Sequence, residues 1–174
     1  TRAIQSSNAT AIGFGDPVTK VNNTSLYIQL ATTNSTTTPI VGIFAGCSYR
    51  PAGGIPSWSP FWPGAAATDA TAYIVDAPNA LFLAATLLTA ITTGGIGATV
   101  NFTGGAPSTT GGGFSIATLD AATLASAGGI TASMLPFKVV SLYQGIGNGS
   151  DPATNYNWAV VTFNNQVYKS LVGM

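Results

Sequence analysis

Residues 71–85 carry the sequence Thr71-Ala-Tyr-Ile-Val-Asp-Ala-Pro-Asn-Ala-Leu-Phe-Leu-Ala-Ala85, and this stretch decides the fold class. β-Branched, aromatic and other apolar residues fill its two halves, as is typical of short β-strands. The segment Ala77-Pro-Asn79 separates the halves with residues that favour turns. The stretch therefore predicts a strand over Thr71–Asp76, a turn, and a return strand over Leu81–Ala85.

The same spacing continues along the chain, because glycine and proline recur at short intervals with apolar runs between them. This pattern predicts an all-β fold, a single β-barrel or sandwich-like domain with long loops. Helices are expected to be minor and short: one turn at Leu87–Ile91, and a helix at Asp120–Ala127 capped by Asp120. Further strands are predicted at Ile40–Phe44, Gly97–Phe102, Phe114–Leu119, Pro136–Tyr143 and Trp158–Phe163, with an edge strand at Val167–Val172.

The first 38 residues differ from the rest in being mostly polar, and they end in the run Thr32-Thr-Asn-Ser-Thr-Thr-Thr38. Two short apolar runs, Ala11–Gly15 and Leu26–Leu30, interrupt this segment. An arm that cannot bury its own apolar residues needs the body or a partner to order it. We therefore predict an extended N-terminal arm at residues 1–38 with two strands, followed by a β-rich body at residues 39–174.

Charged side chains are scarce, at 6% of residues against roughly 25% in an average globular protein. The chain has no histidine and no glutamate, and its five aspartates are isolated. Hydrolytic triads, paired-carboxylate glycosidase sites and zinc sites need side chains that are missing here. The sequence therefore predicts a protein that is not an enzyme and has no cofactor or metal.

The net charge is zero, which leaves no electrostatic footprint for nucleic acid. The longest apolar stretch, Ala80–Thr93, is shorter than the ~20 residues that a membrane-spanning helix needs. Because neutral surfaces tend to associate, the composition favours a protein that functions in an assembly. A monomer that is kept soluble by hydroxyl and amide groups is the alternative.

Two local features are interpreted as structural. Cys47, the single cysteine, follows an apolar run and is expected to be a small buried hydrophobe. The lack of cysteine pairs favours folding in a reducing cytoplasm. The loop Gly145-Ile-Gly-Asn-Gly149 departs from the G-x-G-x-x-G spacing of a dinucleotide site, so a hairpin loop is expected.

The segment Arg50–Gly64 contains four prolines, which predict an irregular packed loop without regular ladder pairing. Its large aromatic residues have three possible roles: a plug that closes one end of a barrel, an anchor for a protein partner, or a platform for sugar rings. The candidate partner-binding residues come from this loop and from the apolar runs of the arm: Ile12, Phe14, Leu26, Tyr27, Ile28, Trp58, Phe61 and Trp62.

Five segments follow one another along the chain: Gly42-Ile-Phe-Ala-Gly-Cys-Ser-Tyr49, Phe61-Trp-Pro63, Ala72-Tyr-Ile-Val-Asp-Ala-Pro-Asn-Ala-Leu-Phe82, Leu135-Pro-Phe-Lys-Val-Val140 and Val160-Val-Thr-Phe-Asn-Asn165. This series resembles a family of tailed-bacteriophage virion proteins that are found beside the major capsid protein and are treated as capsid decoration, or cement, proteins. The resemblance extends over roughly residues 40–170, and its motifs are structural rather than catalytic.

The resemblance implies a virion structural protein, made in the host cytoplasm, that binds the outer surface of the major capsid shell and stabilises the head. Its expected partners are the major capsid protein and itself, as a homotrimer, with no nucleic acid and no membrane. Many identical copies would multiply a modest contact energy, and the arm would add strands to capsid edges. The alternatives are a carbohydrate-binding or adhesin β-module on a virion or cell surface, and a fibre-forming subunit.

Overall fold

The computed structural model describes residues 1–22, 26–32, 39–64, 67–107, 112–125, 134–145 and 155–169. These residues confirm the all-β fold class, with eleven strands and one 3-10 turn at Thr93–Gly95. The strands are β1 Arg2–Ile4, β2 Pro17–Lys20, β3 Tyr27–Leu30, β4 Ile40–Pro51, β5 Ser57–Ser59, β6 Ala67–Val75, β7 Leu81–Ala85, β8 Thr99–Thr103, β9 Thr118–Ala125, β10 Phe137–Leu142 and β11 Trp158–Phe163.

The chain folds into two compact units. The first contains residues 1–32, 40–76 and 104–117, and the second contains residues 33–39, 77–103 and 118–174. The chain therefore passes from the first unit to the second at the Ala77–Asn79 turn. The strands on either side of this turn were predicted at the right places, but the expected hairpin is wrong: β6 pairs with β1 and β4, whereas β7 pairs with β11.

The first unit is built on a six-stranded sheet in the order β2-β3-β1-β6-β4-β5. Strand β2 also pairs with β4, so five of the strands close into a barrel. Successive side chains of a strand point to opposite faces, and the inward-facing apolar side chains fill the barrel. They include Ile4, Val18 and Phe44, which are buried. Gly42 lets β4 approach β6 closely, because a Cβ at this position would lie 2.5 Å from the carbonyl oxygen of Val75.

The segment predicted to be an arm supplies three of these strands, not two. Strand β1 lies between β3 and β6, and it pairs with β3 in parallel. In β3, Ile28 and Leu30 are buried and alternate with exposed residues. The described strands of residues 1–32 therefore form part of the barrel wall, and the predicted boundary at residue 38 does not separate the two units.

The second unit is built on an antiparallel five-stranded sheet in the order β7-β11-β10-β8-β9. Its core is aromatic: Phe163 contacts Phe82 edge-on at 4.9 Å and stacks with Phe137 at 6.1 Å, measured between ring centroids. Beyond β7, Asn157 makes three buried hydrogen bonds that tie the start of β11 to the segment Thr86–Ile91. Strand β11 has the predicted bounds, and β8 and β10 lie within two residues of theirs.

Several local predictions are wrong. Asp120–Ala127 is not a helix over its described residues, because β9 pairs there with β8. Leu87–Ile91 forms bends, not a helical turn, and Leu88 has a positive φ of 60°. The strand expected over Phe114–Leu119 begins only at Thr118, and β5 pairs with β4 inside the proline-rich loop.

Two predicted features lie largely outside the described residues. Of the edge strand predicted at Val167–Val172, the structure describes Val167–Lys169, which form a turn. Lys169 fixes this turn by donating hydrogen bonds to the carbonyl oxygens of Phe163 and Pro78. Of the loop at Gly145–Gly149, only Gly145 is described.

Candidate binding surfaces

Three of the eight predicted partner-binding residues, Ile12, Ile28 and Trp62, are completely buried. Because they have no exposed surface, these residues belong to the core of the first unit and not to a contact surface. Trp62 and Ile12 exchange two backbone hydrogen bonds of 2.8 and 3.1 Å. The Trp62 indole also donates to the carbonyl oxygen of Asn8 and meets the Tyr49 ring edge-on. Of the roles proposed for the aromatic loop, Trp62 fits the plug.

The other predicted residues retain accessible surface. Leu26, Tyr27, Phe14 and Trp58 are exposed, and Phe61 is half-buried against the backbone of Gly113. The structure does not gather them into one patch. Phe14 lies beside Phe114, whereas Trp58 lies on the outer face of β5.

Trp58 belongs to a row of side chains that crosses three neighbouring strands. Ser48 on β4 pairs directly with Trp58 on β5 and with Thr71 on β6, which places these side chains on one face. Tyr73, two residues beyond Thr71, hydrogen-bonds through its hydroxyl to the Ser48 hydroxyl at 3.1 Å. We call these four residues, Trp58, Ser48, Thr71 and Tyr73, the Trp58 row.

The indole of Trp58 lies over Gly46, a glycine with a φ of 116°. A Cβ at this position would stand 3.0 Å from Cζ2 of the indole and 3.0 Å from the Ser59 carbonyl oxygen. The missing side chain therefore provides the space in which the ring lies, while 61% of the Trp58 surface stays exposed.

A second exposed cluster of the first unit is formed by Phe14, Phe114 and Ile116. The rings of Phe14 and Phe114 meet edge-on with centroids 6.3 Å apart. Backbone hydrogen bonds from Phe14 to Gly113 and from Ser115 to Phe14 hold the two segments together. Of these three residues, only Phe14 is among the predicted partner-binding residues, since the sequence predicts a strand over Phe114–Leu119.

The second unit presents an outer sheet surface that is mostly apolar, with the exposed Lys138 on β10 paired to Thr162 on β11. Leu81 and Leu83 on β7 are 62% and 49% exposed, and Leu83 pairs with Val160 on β11. Trp158 on β11 and Val140 on β10 are also exposed. We call Leu81, Leu83, Val140 and Trp158 the β7–β11 face. No residue of this face was selected from the sequence, although the apolar run Leu81-Phe-Leu83 is typical of a strand covered on both sides.

Two buried groups have shifted ionisation. Burial raises the pKa of Asp16 above its usual 3.8, although hydrogen bonds from Ser115 and from the Gly13 N–H (2.7 Å) favour the charged form. Burial raises the pKa of Cys47 to about 12, and its thiol donates to the carbonyl oxygen of Phe61. The Cys47 thiol therefore stays protonated at neutral pH and is a poor nucleophile, as expected for a buried hydrophobe.

Within the described ranges, no three His, Cys, Asp or Glu side chains lie close enough together to hold a metal ion. The same part of the chain contains no helix with the length and hydropathy required to cross a membrane.

The described residues form an all-β protein with three exposed surfaces: the Trp58 row, the cluster of Phe14, Phe114 and Ile116, and the β7–β11 face. No protein-family model matches the chain, and neither a curated protein nor a solved structure matches it.

Proposed function

We propose that this protein is a structural, non-enzymatic component of a virion that binds the outer surface of a tailed-bacteriophage capsid and stabilises the head. The observation that carries the proposal is the β7–β11 face, an exposed apolar sheet surface on a chain with very few charges. Contiguous apolar surface of this kind usually marks a protein–protein contact. The major capsid protein is proposed as the partner because the ordered segments of the sequence resemble those of decoration proteins.

Burial of the β7–β11 face gives the free energy that such a contact needs. A leucine side chain that passes from water into a packed interface contributes about 1.5–3 kcal/mol if it is fully buried. Leu81 and Leu83 have about half or more of their surface exposed, so a large part of this free energy is still to be released when a partner covers them. Modest contacts of this size hold a shell tightly when linked copies bind neighbouring subunits.

The structure changes how attachment is proposed to occur. Strand addition by residues 1–38 loses support, because the described strands of this segment already pair within the first unit. The proposal therefore assigns capsid contact to the β7–β11 face. The homotrimer that the resemblance implies remains part of the proposal. Such a trimer would present three β7–β11 faces to one capsomer junction.

The test mixes purified protein with heads assembled from the major capsid protein of the same phage and measures co-sedimentation. The double variant Leu81→Thr/Leu83→Thr removes apolar surface from the face while it keeps residues that favour strands. The matched control is Ile55→Thr, an isolated apolar residue of the first unit that is 81% exposed.

We expect the double variant to lose most of its occupancy on heads at an unchanged melting temperature, and the control to bind like the unmodified protein. Unchanged occupancy of the double variant would remove the β7–β11 face from the proposal. Failure of the unmodified protein to bind heads at any concentration would reject the proposed function itself.

A further inference from the structure

We infer that the Trp58 row is a binding site for a neutral sugar, with one pyranose ring stacked on Trp58 and its neighbour held by the hydroxyls of Ser48 and Tyr73. This site lies in the first unit and goes beyond capsid attachment, which is proposed for the second unit. The inference rests on the shape, the polarity and the spacing of the row.

The shape of the row suits a flat apolar ligand surface. Trp58 lies over the backbone of Gly46 on one side, which leaves the rest of its surface open to solvent. A ring held against backbone loses little freedom when a ligand stacks on it, so the ligand meets a platform that is already ordered. The C–H groups on one face of a pyranose ring carry partial positive charge and are attracted to the negative face of an indole.

The polarity of the row indicates an uncharged ligand that donates and accepts hydrogen bonds. Ser48 and Tyr73 share a hydrogen bond of 3.1 Å in which either hydroxyl can donate. Each hydroxyl keeps acceptor capacity for a sugar hydroxyl, and Thr71 lies two strands away from Trp58 along the same register, on the other side of Ser48. The four side chains of the row are uncharged, and the exposed Arg50 follows two residues beyond Ser48 on β4, where it pairs with Thr68.

The spacing of the row indicates more than one sugar unit. Strands β5 and β6 are separated by β4, and neighbouring strands lie 4.7–4.9 Å apart, so the backbones at Trp58 and Thr71, which both pair with Ser48, are about 9.5 Å apart. This span matches two linked pyranose rings laid across the sheet. We therefore assign the row to a neutral oligosaccharide and not to a single sugar.

The other exposed clusters do not share these properties. The cluster of Phe14, Phe114 and Ile116 consists of apolar side chains whose two rings pack edge-on, so neither ring serves as a flat platform flanked by a hydroxyl pair. The β7–β11 face combines two leucines, a valine and a tryptophan. Both surfaces fit an apolar protein partner better than a sugar.

The test records indole N–H signals of ¹⁵N-labelled protein during titration with cellotetraose, maltotetraose or tetra-N-acetylchitotetraose. The chain has three tryptophans, so Trp58→Phe and Trp158→Phe variants assign all three signals. We expect a saturable shift of the Trp58 signal with at least one of the three oligosaccharides. The Trp62 signal is an internal control, because this indole is buried and already donates to Asn8.

Variants then measure each part of the site by calorimetry with the oligosaccharide that binds. Trp58→Ala is expected to weaken binding about tenfold or more through loss of stacking, and Tyr73→Phe about threefold through loss of one hydroxyl. Tyr156→Phe, at an exposed tyrosine of the second unit, is the matched control and should bind like the unmodified protein.

The inference is rejected if none of the three oligosaccharides shifts the Trp58 signal up to its solubility limit. It is also rejected if Trp58→Ala binds the oligosaccharide as tightly as the unmodified protein. A shift of the Trp58 signal on mixing with capsid heads, without any response to sugar, would instead assign the row to a protein contact.

Discussion

Replacement of Trp62 by alanine tests the packing of the first unit. The side chain is completely buried, its indole N–H donates to the Asn8 carbonyl oxygen at 3.1 Å, and its ring meets Tyr49 at a centroid distance of 5.8 Å. Removal of a buried tryptophan costs about 3–5 kcal/mol through lost transfer energy and the cavity that remains. Within that cost, the hydrogen bond contributes about 1 kcal/mol and the edge-on ring contact about 0.5–1.5 kcal/mol.

The assay is urea unfolding of the purified protein, followed by circular dichroism so that loss of a tryptophan does not affect the signal. Trp62→Ala should lower the free energy of unfolding of the first unit by about 3–5 kcal/mol. Trp62→Phe keeps most of the packing and should cost less, while the exposed Trp58→Ala should cost less than about 1 kcal/mol. If Trp62→Ala unfolded within about 1 kcal/mol of the unmodified protein, the reasoning that makes Trp62 a plug would be refuted.

Three further predictions concern buried polar groups. Asn157→Ala removes hydrogen bonds to the Thr86 hydroxyl and to both backbone groups of Ile91, so we expect it to lower the free energy of unfolding by about 2–4 kcal/mol in chemical unfolding. A loss below about 1 kcal/mol would show that water replaces these hydrogen bonds. Burial raises the pKa of Asp16 in the folded protein above 3.8, so the stability that the neutral carboxyl contributes is complete below pH 3.8 and is lost as the pH rises through the raised pKa. Asp16→Asn should abolish this pH-dependent loss of stability in melting curves. If the variant and the unmodified protein showed the same pH dependence, the prediction would be contradicted. Cys47, with a pKa of about 12, should react with a thiol reagent at pH 8 only after unfolding, and fast labelling of the native protein would disprove its burial.

The sequence was sufficient to predict strands where runs of β-branched and aromatic residues stand between turn-forming residues. Strand β11 has its predicted bounds because Trp158–Phe163 is such a run. The alanine-rich segment Asp120–Ala127 is not such a run, and local propensity suggested a helix. Strand formation there depends on pairing with β8, including the hydrogen bond from the Asn101 N–H to the Thr123 hydroxyl, which no local pattern indicates.

Pairing between distant residues also determines the role of the N-terminal segment. Its composition indicated an arm, but Arg2 pairs with Ala72 and Val18 pairs with Gly42, so the segment closes the barrel. A hydrophobic pattern shows that a strand has a face to bury, but it does not show which strand covers that face. The same limit explains why the Ala77–Asn79 turn was interpreted as a hairpin.

The candidate surfaces were predicted only in part. The sequence selected Trp58 and Trp62 together, since composition does not distinguish a buried indole from an exposed one. It did not select Ser48 or Tyr73, because their juxtaposition with Trp58 requires the β5–β4–β6 register. The exposed leucines of β7 were assigned to an ordinary strand, and only their solvent exposure makes them a candidate contact surface.

Binding of this protein to a capsid shell can be observed directly by imaging. Heads of the same phage, assembled without this protein, are imaged by electron cryomicroscopy before and after incubation with an excess of it. We expect added density on the outer surface at capsomer junctions, with the β7–β11 face turned toward the shell. Heads that show no added density under saturating protein would contradict it.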